Sequence, residues 1–233
     1  MKVRFLAVSG PFLALASVMT VALAGADQSA VDAAELNIAQ LQYEGGGDWY
    51  ANPTGLPNLL QTIGDRTGLP VAGRPDRVRL TDPKLWSYPF VYMTGHGNVA
   101  FTDEEVRLLR RYLLEGGFLH VDDNYGLNAS FRREIARVFP DRELQAVPSD
   151  HPVFHVFYRF PHGLPKIHEH DGRPPEAWGI FHRGRLVLFY SYEADLGNGW
   201  EDADVHGTTP ELREAALRMG VNLFLYALAQ VAP

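Results

Sequence analysis

Pro89-Phe-Val-Tyr-Met-Thr-Gly95-His96-Gly97-Asn98, then Thr102-Asp103-Glu104-Glu105, then Gly116-Gly117-Phe118-Leu119-His120-Val121-Asp122-Asp123-Asn124, is the stretch that decides the fold. Pro89 to Thr94 is a short apolar run ending in a glycine turn, the pattern of a buried strand. Thr102 to Glu105 is a capping box, in which the threonine oxygen accepts an N–H of the first turn while Glu105 reaches back. Val106, Leu109 and Leu113 then mark one helical face, with Arg107, Arg110 and Arg111 towards water. Gly116-Gly117 stops the helix, and Phe118 to Val121 starts the next strand. Strand, turn, helix and strand within about 30 residues make a βαβ unit, and such a crossover joins parallel strands.

The same reading extends outwards. Leu36 to Tyr43 is a strand candidate that ends in Gly45-Gly46-Gly47-Asp48-Trp49, and Leu56 to Thr67 has helical spacing with Gly68 as its stop. Val78 to Leu80 is a short extended piece. Beyond the central unit, a helix from about Ser130 to Val138 precedes an extended Glu143 to Val147. Asp150 to Pro175, rich in His, Pro and Gly, reads as an irregular insertion in which Val153 to Phe157 is extended. Trp178 to Phe181 and Leu186 to Tyr192 pair through an Arg183-Gly184 turn, and a last, largely apolar helix runs from Pro210 to about Ala229. These elements predict an α/β three-layer sandwich with a mainly parallel sheet, as one domain over 35–230.

At the N-terminus, Lys2 and Arg4 precede a mostly apolar Phe5 to Leu23 and a small-residue Ala22-Leu23-Ala24 site. This is the pattern of a signal peptide over 1–24, cleaved after Ala24 or Ala26, with a linker over 25–34 and a periplasmic or secreted destination. An uncleaved anchor is the alternative, weakened by Ser9, Gly10, Pro11, Ser17 and Thr20 within the run. No later segment is apolar enough to span a membrane. Losing Lys2 and Arg4 would take the formal charge from −7 to −9, so nucleic acid is excluded as a partner. With no cysteine, disulfides, thiolate metal sites and a cysteine nucleophile are excluded together.

Ligands of open parallel sheets sit at the carboxyl ends of the strands, which selects three loops. They carry Asp48 and Trp49, His96 and Asn98, and Asp122, Asp123 and Asn124. Alternation along a strand sends Asp122 and Asp123 to opposite sides, one to a cleft and one to cap the next helix. Gly95-His96-Gly97-Asn98-Val99-Ala100 matches the pattern of a dinucleotide turn, but Thr102 starts the helix too late for it. His151 belongs to a rigid Asp150-His151-Pro152 turn. His168-Glu169-His170 places two imidazoles close together without a third ligand at standard spacing, so no metal site is assigned and no cofactor is named. There is no G-x-S-x-G elbow.

Tyr88 through Asp123, Asp150 to Phe154 and Ser191-Tyr192-Glu193-Ala194-Asp195 resemble the bacterial family called domain of unknown function 4159, and the likeness runs from about Leu36 to Leu228. The resemblance implies a flavodoxin-like sheet and a fold similar to class I glutamine amidotransferases. It also implies a pseudo-enzyme, because Asp123-Asn124 stands at the corner where those enzymes carry their cysteine. Some relatives carry the domain on larger membrane proteins, whereas this chain reads as an exported, stand-alone version. The residues favour a module that binds a small-molecule ligand or an envelope protein partner through Asp48, Trp49, His96, Asn98, Asp122, Asp123, Asn124 and His151. The alternatives are a hydrolase of sugar or cell-wall material, using Asp122 or Asp123 with His96, and a metal-binding protein.

Overall fold

The computed structural model describes residues 35–231, so the signal-peptide and linker segments lie outside the described residues. Seven strands form one sheet: β1 (Ala39–Leu41), β2 (Asp76–Val78), β3 (Phe90–Gly95), β4 (Phe118–Asp123), β5 (Gln145–Ala146), β6 (Glu176–His182) and β7 (Arg185–Tyr192). Their order is β2-β1-β3-β4-β7-β6-β5. The first five in that order run parallel, and β6 and β5 form an antiparallel extension at one edge. Among the described residues five helices cover the two faces: α1 (Gly55–Thr67), α2 (Asp103–Leu114), α3 (Asn128–Val138), α4 (Leu196–Trp200) and α5 (Pro210–Val231). The architecture is the mostly parallel three-layer α/β sandwich that the central stretch predicts.

Two apolar layers hold it together. Phe90, Tyr92, Phe118 and Phe189 face α1, α4 and α5, whereas Val91, Met93, Leu119, Val121 and Tyr190 face α2 and α3. Because both faces are covered, β3 and β4 are buried at every position, which is why they read as unbroken apolar runs rather than alternating ones. The capping box of α2 is present: Glu105 N donates to Thr102 Oγ1 at 3.2 Å, and Thr102 N donates to Glu105 Oε2 at 2.8 Å. Gly95 ends β3 at φ 141°, and a Cβ there would strike the Tyr43 hydroxyl, so only glycine lets the Asp48 loop lie over this strand end.

The β6–β7 hairpin contains an irregularity that matters for the site. Ile180 pairs with Leu188 but Phe181 pairs with Leu186, leaving Val187 as the extra residue of a β-bulge. Val187 and Leu188 consequently both join the α2/α3 layer. From there onwards the alternation is shifted by one, which places Ser191 beside Asp122 and Tyr190 beside Val121.

One local expectation needs correction, and two short elements carry no signal in the sequence. The Val153–Phe157 segment is not extended: Pro152–Phe154 is a turn of 3-10 helix, and Asn222 of α5 anchors the chain around it by bonding Tyr158 N, Tyr158 O and Val153 O. Helix α4 has no counterpart in the sequence pattern, nor does the 3-10 turn Pro83–Ser87. Among the described residues, no helix is long and apolar enough to cross a membrane. Thr102→Ala removes one half of the α2 cap and is expected to cost about 1 kcal/mol, read from urea unfolding.

Candidate functional site

The loops after β1, β3, β4 and β7 meet at the carboxyl edge of the sheet. Asp48 accepts hydrogen bonds from His96 N and from the His96 ring, whose Nδ1 lies 3.0 Å from Asp48 Oδ2. Asn98 Nδ2 donates to Gly45 O at 3.0 Å, and Asn98 Oδ1 accepts from Arg133 at 3.2 Å, so this side chain clamps loops together. Trp49 lies under the guanidinium of Arg77 and edge-on to Tyr50. The asparagine pair Asn52 and Asn124 exchanges hydrogen bonds at 3.2 and 3.4 Å, linking the first of these loops to the one after β4.

Asp122 and Asp123 point to opposite faces, as alternation requires. Asp123 serves the α3 side: Oδ1 accepts from Tyr125 N and Leu127 N, both at 3.0 Å, and Oδ2 accepts from Tyr190 OH at 2.9 Å. Asp122 has no exposure at all. Its carboxylate accepts from Ser191 Oγ (2.5 Å), Gly197 N (2.6 Å), Leu196 N (3.2 Å) and Tyr92 OH (3.4 Å). Burial raises the carboxyl pKa of both acids, and the donors around each one oppose that shift.

Behind Asp122 lies His120, fully buried among Phe90, Tyr92, Phe189 and Trp200, with Nε2 2.9 Å from Ser191 Oγ. The three side chains run in the order His, Ser, acid, which is not the order of a hydrolytic triad, where the imidazole lies between the other two. With Asp122 ionised, the Ser191 proton goes to Asp122 and His120 Nε2–H donates to Ser191. Nδ1 is then left as an acceptor without a partner among the described residues. Burial lowers the His120 pKa to about 3, so the ring is neutral at physiological pH.

A cleft of about 310 Å³ opens at the ends of β4 and β7. Asp123, Tyr125, Asn128, His170, Tyr192 and Glu193 line it. Tyr125 stacks on His170 with centroids 4.8 Å apart, and its hydroxyl donates to Asp171 at 3.1 Å. Glu193 is buried and pairs with Lys166 at 3.0 Å. Asp195, also fully buried, has Oδ2 3.1 Å from His170 Nε2 and 3.4 Å from His168 Nδ1. Burial and the nearby Asp122 raise the Asp195 pKa, whereas burial and the neighbouring His168 lower that of His170.

Of the predicted residues, the fold brings Asp48, Trp49, His96, Asn98, Asp122, Asp123 and Asn124 to one edge. Only Asp123 among them lines the cleft. His96 bonds to Asp48 rather than to Asp122 or Asp123, so the expected acid–imidazole pairing is absent among the described residues. His151 does not join the others. Its ring packs against Phe181 and Tyr226, whose hydroxyl accepts from Leu186 N at the far end of β7. The residues that reasoning from sequence missed are Tyr192, Glu193 and Asp195, although Tyr192 ends a strand and the two acids follow it as the other loops do.

Substitution separates the two kinds of residue found here. Asp122→Asn puts an N–H₂ group among four donors and is expected to cost about 2 kcal/mol or more in urea unfolding. His96→Ala, at a half-exposed hydrogen bond to Asp48, should change stability by no more than about 0.5 kcal/mol.

Residues 37–228 match the model of the family described as Domain of unknown function (DUF4159). No curated protein matches the chain. A chain without cysteine has no thiol with which to perform amidotransferase chemistry at this edge. The extent of the match, covering every strand and nearly all of the last helix, places the chain in the DUF4159 family.

Proposed function

We propose that this protein is an exported binding module that holds a small polar ligand in the cleft at the carboxyl ends of β4 and β7. The observation that carries this reading is the composition of the cleft: tyrosine faces beside Asp123, Asp171 and Glu193, with no Lys or Arg among the described residues of its walls. Carboxylates only accept hydrogen bonds when ionised, and a tyrosine ring stacks on flat or weakly polar faces. Such walls suit a ligand rich in donors, either a hydroxylated ring such as a saccharide or a small amine. The order β2-β1-β3-β4, followed by a further parallel strand, is compatible with a flavodoxin-like sheet, and this supports an amidotransferase-like reading of the fold with Asp123-Asn124 at the vacated corner.

Binding is favoured over hydrolysis by what the acids are already doing. Asp122 is sealed off from water, and Asp123 receives hydrogen bonds from two backbone amides and a phenol. Neither has a histidine within hydrogen-bonding distance among the described residues, so the acid–imidazole pair of the hydrolase reading is not assembled.

Thermal-shift screening of saccharides and small amines tests the proposal. One class is expected to stabilise the protein, by about 2.7 kcal/mol at a ligand concentration 100 times Kd. Tyr125 adopts φ 91°, a strained value for a residue with a Cβ. Tyr125→Gly should therefore shift Tm little, the relief of strain offsetting the lost stacking, while removing ligand stabilisation. A wild type indifferent to both classes, or a glycine variant that binds as well, would overturn the reading. The export part rests on Lys2, Arg4 and the apolar run up to Ala24. N-terminal sequencing of the protein from the cell envelope is expected to start after Ala24 or Ala26, and an intact Met1 would refute cleavage.

A further inference from the structure

The chain leaves β7 by an unusual path. Glu193 and Asp195 have φ of 57° and 58°, the left-handed region that residues with a Cβ rarely occupy, and Ile167 N donates to Ala194 O at 2.9 Å between them. That single backbone bond straps the His-rich insertion to the end of β7 and brings His168 and His170 to Asp195. Sequence spacing alone offers two imidazoles; the fold supplies the carboxylate from 25 residues further along.

We propose that His168, His170 and Asp195 bind a divalent transition-metal ion, Zn²⁺ in the first instance, leaving one coordination position for water or a ligand. One donor atom from each residue lies within 4.8 Å of the others. His170 Nε2 and His168 Nδ1 are 3.1 and 3.4 Å from Asp195 Oδ2. Zinc bonds of about 2.0–2.1 Å in a tetrahedron put ligand atoms about 3.3–3.4 Å apart, so the set needs only side-chain adjustment to close on an ion. Two imidazoles and one carboxylate also suit zinc, iron, cobalt or nickel better than magnesium or calcium, which prefer all-oxygen sites.

Two further observations point to a cation here. Hydrogen bonding leaves Asp195 lopsided: Asn198 Nδ2 and both imidazoles converge on Oδ2, while buried Oδ1 has no partner among the described residues. Charge is also unbalanced. Asp122, Asp123, Glu193 and Asp195 are all buried, and among the described residues the only Lys or Arg paired with any of them is Lys166, on Glu193. A divalent ion would favour the ionised form of Asp195 and offset the surrounding carboxylates at a point where, among the described residues, no Lys or Arg is paired. The site stands on its own three residues and does not require the cleft to hold an organic ligand.

The test is calorimetric titration of ZnCl₂ into untagged protein freed of metal with a chelator. One ion per chain is expected. His168→Ala, at an exposed position, should keep the fold and weaken binding by more than the roughly tenfold that losing even a supporting residue costs. His155→Ala, another exposed histidine, should leave binding unchanged. Asp195→Asn should weaken it similarly in samples with wild-type circular dichroism, and Co²⁺ should give the visible absorption of a four-coordinate site. No saturable binding, or equal losses from His155→Ala and His168→Ala, would overturn the proposal. Because the titration uses the metal alone, its failure would leave the saccharide and amine screen standing, and the reverse also holds.

Discussion

A carboxylate removed from water must be solvated by the protein, and for Asp122 that task is shared among three elements. Ser191 supplies a hydroxyl from β7, Tyr92 a phenol from β3, and the start of α4 two backbone amides. An ionised acid with no such donors would be prohibitively costly to bury, so these elements can only assemble together. Gly197 shows how tight the arrangement is: a Cβ there would lie 2.7 Å from Tyr92 OH and 3.1 Å from Asp122 Oδ2, and would also collide with Asn52. The path of the chain after β7 is thereby dictated by a side chain on β4. The same path delivers Glu193 and Asp195 to the sheet edge.

Backbone strain gathers at this edge. Of the five described residues other than glycine with positive φ, Asn52, Tyr125, Glu193 and Asp195 belong to the loops that meet there; Arg183 lies in the hairpin turn at the opposite end. Strain of this kind costs of order 1–3 kcal/mol for each residue and persists only where surrounding structure enforces it. The two apolar layers, with Phe90, Phe118, Phe189 and Trp200 on one side and Val121, Phe131 and Tyr190 on the other, supply that enforcement. A rigid scaffold thus holds a strained rim, the usual division between a sheet and its functional loops.

The central βαβ unit was legible because its signals are local. The Thr102 capping box, the Gly116-Gly117 stop and the apolar runs on either side each act within a few residues, and the opposite orientation of Asp122 and Asp123 follows from the pleat alone. Helix α4 was not legible, since Leu-Gly-Asn-Gly-Trp has poor helix propensity and is shaped by Asp122 and by Gly199 closing against Ala216 and Ile167. The turn at Pro152–Phe154 was hidden for the same reason, its anchor being Asn222 on a helix about 70 residues downstream. Asp195 escaped notice as a partner of His168 and His170 because the strap from Ile167 to Ala194 is invisible in spacing. Local patterns revealed the frame of the site, and long-range hydrogen bonds completed it.

The bulge at Val187 gives the hairpin an unexpected kind of control. Which face each residue of β7 presents downstream depends on a count, not on chemistry: one residue fewer before Leu188 would rotate every later side chain to the other layer. The hydroxyl of Ser191 would then enter the aliphatic layer over α2 and α3, and the phenol of Tyr190 would be driven towards Asp122 and His120. The hairpin therefore behaves like a reading frame for the polar edge. Its turn can tolerate changes of residue, but between Arg185 and Leu188 a change of length alters the meaning of every later position in the strand.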